Sequence, residues 1–336
     1  MGTAWKAVAT DQPPDWHQAK FKEFVELKQQ VGEPSPHMAL AGFLTQQDNA
    51  QWNEVVWRAG VYGAPYSVLT SEAIWREWPW ERMRHANRSE FRAWVERNWG
   101  GFHIRTERRM VRTPEKMTTN LLSYADWLRS GQPHGILQSQ HLYSPRENYD
   151  RWYVAVEQNV MFFGRYITIR VVEFLRRFAG ADAELYDIRS IGGESPVRCL
   201  SLLYPDHSVA LLEHKSRQIA DSLAERLLHT VQQTQPHVNH YVLAAMLCEY
   251  REAYEDRHQY PGRTIDQELA YLTGSKARWW EDRGFSTRLW EARAELFPAA
   301  SLGELQGWSG VRHDLSRWLR DRGQNWSDLK YDYVGG

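Results

Sequence analysis

An all-α fold is predicted for this 336-residue chain, and three observations predict it. Apolar residues recur at three- and four-residue spacing along most of the sequence. Alternating β-branched runs, the mark of half-buried strands, are nearly absent. Helix punctuation recurs, with Ser, Thr or Asp ahead of the periodic stretches and Gly or Pro behind them. The expected organisation is an N-terminal extension with a first helix (1–35), one compact multi-helix domain (36–322) and a short tail (323–336). Within the large domain two helical lobes are expected to meet near 131–160, around a cleft.

Each element has its own reason. Phe21, Phe24, Val25 and Lys28 keep helical spacing, Pro13 and Pro14 break the polar start, and Gly32 and Pro34 end the stretch. Ser35 as N-cap and Pro36 at the first position open a helix to about Gln47. Gln51 to Ala59 is helical and stopped by Gly60, and Thr70 to Trp78 is a short helix before Pro79. Ser89 caps a helix to Asn98 with Phe91, Trp94 and Val95 as its stripe, ended by Gly100 and Gly101. Thr113-Pro114 opens a helix to about Ser130 that buries Leu121, Leu122, Ala125 and Leu128, and Gly131-Gln132-Pro133 breaks it. Arg146 to Asn159 and Arg165 to Phe178 follow. The second of these begins with strand-like residues, Ile167 to Val172, but its continuation to Phe178 is helical by length. Gly180 to Pro196 reads as loop, and Pro196 to Tyr204 as a short apolar piece. Asp206 to Gln233 is the longest helical run, capped by Asp206, with Leu212, Ile219, Leu223, Leu227 and Val231 as its stripe. His240 to Asp256, Thr264 to Leu272, Arg288 to Leu296 and Val311 to Asp321 complete the series.

Composition narrows the function classes. The chain is 42% hydrophobic and 25% charged with net charge −1, which excludes a disordered chain and a globally basic polyanion binder. Cys199 and Cys248 form neither a disulfide framework nor a four-ligand zinc site; a reduced, buried pair in a cytosolic protein is expected. No apolar signal core and no run of 18 apolar residues is present, so a soluble protein with no membrane partner is expected. Aromatic residues make up 13%, including 17 Trp. That excess fits a Trp-rich helical core or surfaces that stack on something flat. Trp52, Trp57, Trp75, Trp94, Trp127 and Trp318 fall on or beside helical stripes and are assigned to the core.

The standard phosphate cradles are missing: there is no Gly-x-x-x-x-Gly-Lys-Ser/Thr and no Gly-x-Gly-x-x-Gly. His237 and His240 lie three apart with no third ligand in view, so they read as polar surface residues and no metal or cofactor is expected. Four constellations remain. From Arg76 to Lys116, eleven Lys/Arg stand against six Glu, a local net of +5 in a chain of −1. Its Arg82 to Arg97 part fits a solvated helix face; the Arg105 to Lys116 part, with Arg105, Arg108, Arg109 and Lys116 leading into a helix N-terminus, fits anion binding. Tyr166, Arg170 and Glu173 share one face of the 165–178 helix just after Arg165. An internal Arg170–Glu173 pair is the simpler reading of that face. Asp187, Arg189 and Arg198 flank a loop centred on Gly192-Gly193, where ordinary capping by Ser195-Pro196 is the alternative. Tyr260, Arg263 and Asp266 surround the Pro261-Gly262 turn, which also fits a plain surface turn.

In their order, Trp75 to Trp80, Arg105 to Lys116, Gly164-Arg165-Tyr166 with Glu173, Asp187 to Arg198, and Tyr260-Pro261-Gly262-Arg263 with Asp266, these blocks resemble a family of helical enzymes. The family belongs to the base-hypermodification systems of DNA phages and comprises the amino acid:DNA transferases and the α-glutamyl/putrescinyl thymine pyrophosphorylases. The resemblance spans roughly residues 40–310. It implies displacement of pyrophosphate from an activated 5-hydroxymethyluracil in DNA by an amino acid or polyamine, in the cytoplasm of an infected bacterial cell. Comparison of such a fold with DNA glycosylases rests on analogy alone. The reaction needs cations for a leaving pyrophosphate, for which Arg105, Arg108, Arg109, Lys116, Arg165, Arg170, Arg189, Arg198 and Arg263 qualify. It needs an acid to take a proton from the amine, for which Glu173, Asp187 and Asp266 qualify. It needs aromatic faces for an extruded base, for which Tyr166 and Tyr260 qualify. Trp78, Trp80, Trp279 and Trp280, next to basic residues, are expected to touch DNA. Two other readings compete: a hydroxymethyluracil DNA kinase and a non-catalytic helical DNA-binding protein. Acids and arginines gathered in one place favour the enzyme; a basic block on a convex face with no acid nearby favours the binder.

Overall fold

The chain begins with helices α1 (Pro14–Val31), α2 (Pro36–Gln47) and α3 (Trp52–Gly63). The structure is a computed structural model that describes residues 14–31, 36–105, 108–186, 194–254, 265, 268–272 and 277–296. Next come α4 (Val68–Glu77), α5 (Trp80–Met83), α6 (Arg88–Asn98) and α7 (Pro114–Arg129). Then α8 (Gln132–Ser139), α9 (Pro145–Asn159), α10 (Arg165–Phe178) and α11 (Glu194–Leu203) follow. The last described helices are α12 (Ser208–Leu212), α13 (Arg217–Gln232), α14 (His240–Tyr254), α15 (Ala277–Glu281) and α16 (Phe285–Leu296). No strand occurs among the described residues, so the all-α expectation holds. No described helix is long and apolar enough to cross a membrane.

Helix α3 is the axis of one group of helices, touching α2, α4, α5, α7 and α10. Helix α11 is the axis of a second, touching α1, α12, α13 and α14. The strand-like start of α10 is helical because Ile167, Ile169, Val171 and Val172 all find buried partners there. Tertiary packing overrides their weak helix propensity.

Several boundaries differ from the sequence reading. Pro14 opens α1 instead of breaking the chain, since its missing N–H costs nothing in a first turn. Gly60 does not stop α3. It lies inside the helix, where a Cβ would overlap the Tyr124 ring of α7, and the Tyr124 hydroxyl donates to the Val56 carbonyl at 2.8 Å. Asn87, not Ser89, caps α6, its Oδ1 accepting from the Ser89 N–H at 2.8 Å. The 206–233 run is broken: α12 ends at Leu212, Lys215 takes φ +50°, and Ser216 caps α13. Asp206 instead lies in a 3-10 turn. The stretch after Gly131 is a helix of its own, because Gly131 at φ +76° turns the chain and Pro133 then fits a first turn. Thr113 caps α7 as expected, accepting from the Lys116 N–H at 3.3 Å. Cys199 is buried and Cys248 half-buried, and neither forms a disulfide among the described residues.

The tryptophans are mostly interior. Trp57, Trp75, Trp78, Trp152 and Trp280 rank among the largest fully buried side chains, and Trp80 is buried too. The expected DNA contacts of Trp78, Trp80 and Trp280 are therefore corrected. Trp78 packs on Phe91 and Trp94, and Trp80 packs against Trp57. Trp279 is half-buried, its ring filling the space that a Cβ on Gly101 would need. Trp52 is half-buried against His134, and Trp318 lies outside the described residues.

Candidate active site

The short connection between α3 and α4, Ala64 to Ser67, anchors the site. Arg108 is 2% exposed, and its Nε donates to the Ala64 carbonyl at 2.6 Å while its Nη1 donates to the Phe162 carbonyl at 3.2 Å. The Arg105 N–H donates to the Pro65 carbonyl at 3.2 Å. Tyr66 takes φ +53°, a left-handed conformation that bulky residues rarely adopt and that marks local strain. This geometry brings the basic segment and α10 to the same place.

At the centre, the Tyr66 and Tyr166 hydroxyls are 3.0 Å apart. Arg170 Nη2 donates to the Tyr166 hydroxyl at 3.1 Å, and Nη1 donates to the Tyr241 hydroxyl of α14. On the other side, the Arg105 guanidinium lies 5.4 Å from the Tyr66 ring centre. Two arginines thus flank a tyrosine pair, each over an aromatic face, an arrangement that presents cations to an anion without exposing them fully.

A buried acid completes the cluster. Glu268 is 3% exposed. Its Oε2 accepts from the Val68 N–H at 2.8 Å, the Leu69 N–H at 3.4 Å and the Ser67 hydroxyl at 3.2 Å. That oxygen sits at the positive end of α4. Its Oε1 lies 3.3 Å from His37 Nε2 and 3.9 Å from Arg105 Nη1. Arg105 Nη1 is 2.6 Å from His37 Nε2. A guanidinium can only donate, so Nε2 accepts and the His37 ring carries its proton on Nδ1. Burial, and then the Arg105 charge, hold His37 well below its usual range, which keeps it neutral. A neutral ring whose Nε2 is already accepting has no hydrogen there for Oε1, and that oxygen has no hydrogen-bond donor among the described residues. Burial pushes the Glu268 carboxyl up to about 7, outweighing Arg105 and the helix N–H groups that pull it down. His103 borders the cluster, with Nδ1 3.1 Å from the Ser67 hydroxyl and its ring 4.2 Å from that of Tyr271.

A family model described as Amino acid:DNA transferase matches residues 40–258, more than half of the 336 residues. The chain belongs to the amino acid:DNA transferase family. No curated protein and no solved structure matches it. The transferase match contains Tyr66, Arg105, Tyr166, Arg170 and Tyr241, whereas His37 and Glu268 lie just outside its two ends and close onto the same cluster.

Of the residues singled out in the sequence of this transferase-family member, Arg105, Tyr166 and Arg170 come together. Others stand apart. Arg108 is spent on backbone carbonyls, and burial pulls its guanidinium down to about 10. Glu173 is buried and accepts both Nε and Nη2 of Arg176 at 2.8 Å, so the expected Arg170–Glu173 pair is replaced by an Arg176–Glu173 pair. Arg109, Lys116 and Arg165 are exposed, and Arg198 is half-buried on α11. Asp187, Arg189, Tyr260, Arg263 and Asp266 lie outside the described residues. Sequence reasoning missed His37, Tyr66, Ser67, His103, Tyr241 and Glu268. Glu268 had a signal nearby, two residues beyond Asp266 in the fourth constellation; His103 lay inside the 76–116 basic segment, and Tyr241 directly followed His240.

Proposed function

We propose that this chain displaces pyrophosphate from an activated 5-hydroxymethyluracil in DNA with the amine of an amino acid, and that the reaction takes place at the Arg105–Tyr66–Tyr166–Arg170 cluster. The observation that carries this reading is the convergence of two arginines and a buried acid with an open acceptor oxygen, Glu268 Oε1, on one tyrosine pair. In the step, the amine nitrogen forms a bond to the methylene carbon of the base. The C–O bond breaks and its electron pair leaves with pyrophosphate, while the proton lost by the amine passes to Glu268. Arg170, with the Tyr166 and Tyr241 hydroxyls, is the group for the departing anion. Arg105, beside Glu268, suits the amino-acid carboxylate, since the acceptor of the amine proton must lie near the amine. A polyamine has no carboxylate to answer Arg105, which favours an amino acid. The neighbouring acid also favours an enzyme over a non-catalytic DNA-binding protein.

The test is chemical. The protein is incubated with DNA carrying pyrophosphorylated 5-hydroxymethyluracil and a mixture of amino acids, the DNA is digested, and nucleosides are weighed by mass spectrometry. The expected result is a nucleoside heavier by one amino acid residue linked through nitrogen, with release of pyrophosphate. DNA returned unchanged with the amino-acid mixture, or a product formed only when a polyamine is supplied in its place, would overturn the reading.

A further inference from the structure

The two segments that supply the cluster each run into a turn with the same exposed chemistry. Five residues after Arg105 comes Met110, 56% exposed, beside exposed Arg109 in the 3-10 turn Arg109–Val111. Five residues before Tyr166 comes Met161, 52% exposed, in a turn where Phe162 takes φ +63° and exposed Arg165 follows. Large apolar side chains that stay half in water ask for an explanation. The two turns are also fastened together. Arg108, next to Arg109, donates to the Phe162 carbonyl at 3.2 Å. From α7, Asn120 Nδ2 donates to the Met161 carbonyl and Ser123 Oγ accepts from the Met161 N–H at 2.9 Å. Lys116, exposed, stands one turn before Asn120 on the same helix. The result is a braced edge where Met110 and Met161 stand with Arg109, Lys116 and Arg165 exposed around them, each methionine five positions along the chain from a residue of the arginine–tyrosine cluster.

We propose that this edge is the duplex-DNA docking surface. Arg109, Lys116 and Arg165 take the phosphates, and Met110 and Met161 press between base steps to hold open the place from which the target base leaves the stack. Phosphate contacts supply position and salt-dependent affinity. Apolar side chains inserted at a base step unstack it, and a base must leave the duplex before chemistry can reach it. The division of the basic segment follows: Arg105 faces the reaction, Arg108 braces the turns, and Arg109 and Lys116 meet DNA. The proposal rests on DNA being the substrate and not on the displacement chemistry.

The experiment uses the full chain and a fluorescein-labelled duplex with 2-aminopurine next to a central 5-hydroxymethyluracil. Anisotropy reads binding and 2-aminopurine emission reads unstacking. Wild-type protein is expected to bind and raise the emission. The Met110→Ala/Met161→Ala double variant is expected to bind with nearly wild-type affinity and to lose the emission rise. Arg109→Ala and Arg165→Ala are each expected to bind more weakly, with the slope of log affinity against log salt reduced by about one. Leu142→Ala and Val209→Ala, exposed apolar positions elsewhere, are expected to change nothing. Wild-type binding without an emission rise, a methionine variant that unstacks as well as wild type, arginine variants with an unchanged salt slope, or equal losses in the control variants would each overturn the proposal. Product formation in the mass assay together with any of these results would leave the transferase reading standing and the docking surface refuted.

Discussion

Glu268 shows how one carboxyl can be fixed through one oxygen while the other keeps no hydrogen-bond donor among the described residues. Three donors at the start of α4 hold Oε2, while Oε1 faces a histidine nitrogen that is already accepting from Arg105. Burial raises its pKa from 4.5 to about 7. The folded chain therefore holds this proton between those two values while the unfolded chain releases it. The stability from this group is complete below about 4.5 and is lost as pH rises through about 7. The proposed reaction needs the opposite form, since a base must be ionised to accept. The transfer rate is accordingly expected to rise with pH through about 7. Glu268→Gln is expected to remove that rise and lower kcat by about 10²- to 10⁴-fold. The amide oxygen of Gln can still accept from the Val68 N–H, so the melting curve serves as the check on folding. A Glu268→Gln enzyme with an unchanged pH–rate profile would exclude Glu268 as the proton acceptor.

At the scale of elements, α3, α7 and α10 position everything else. Gly60 and Tyr124 set the approach of α7 to α3, because only a residue without a Cβ leaves room for the ring. Gly60→Ala keeps helix propensity, or improves it, yet forces that ring aside. The expected cost is about 1–3 kcal/mol in urea unfolding, typical of overpacking. A stability gain of the kind seen when Ala replaces Gly in an open helix would refute this packing account. The same pair explains a limit of sequence reading. Periodicity placed α2, α7, α9 and α10 to within a residue or so, since long stripes, Thr113 and the proline starts at Pro36 and Pro114 are local signals. A glycine that ends a helix and a glycine that admits a neighbouring ring look alike in sequence, and the difference is made by a residue 64 positions away. Arg105, Tyr166 and Arg170 were legible because each stood in a run with unusual charge or spacing. His37, Tyr66 and Glu268 were not, because each is a single residue made important by the strained α3–α4 connection and by contacts more than 200 positions away in the chain.

Over the whole molecule, the aromatic excess and the basic segment both resolve into divided labour. Most described tryptophans form the interior on which the helices pack, with Trp57 donating to the Trp78 carbonyl at 2.9 Å across the α3–α4 group. The +5 segment splits into an arginine at the tyrosine cluster, an arginine inside the fold and cations at the surface. The two helical groups meet where Arg170 of α10 reaches Tyr241 of α14, so the proposed anion site is also a joint of the fold. The most direct measurement of the central claim is therefore the mass-detected transfer reaction run with Arg170→Lys alongside wild type, with pyrophosphate release followed in parallel. A lysine keeps the charge at this joint but cannot bridge two hydroxyls as a planar fork does. Wild type is expected to give the amino-acid-bearing nucleoside and one pyrophosphate for each. The folded Arg170→Lys protein is expected to lose most of both while still binding DNA. Transfer at the wild-type rate by Arg170→Lys would contradict the role proposed for Arg170.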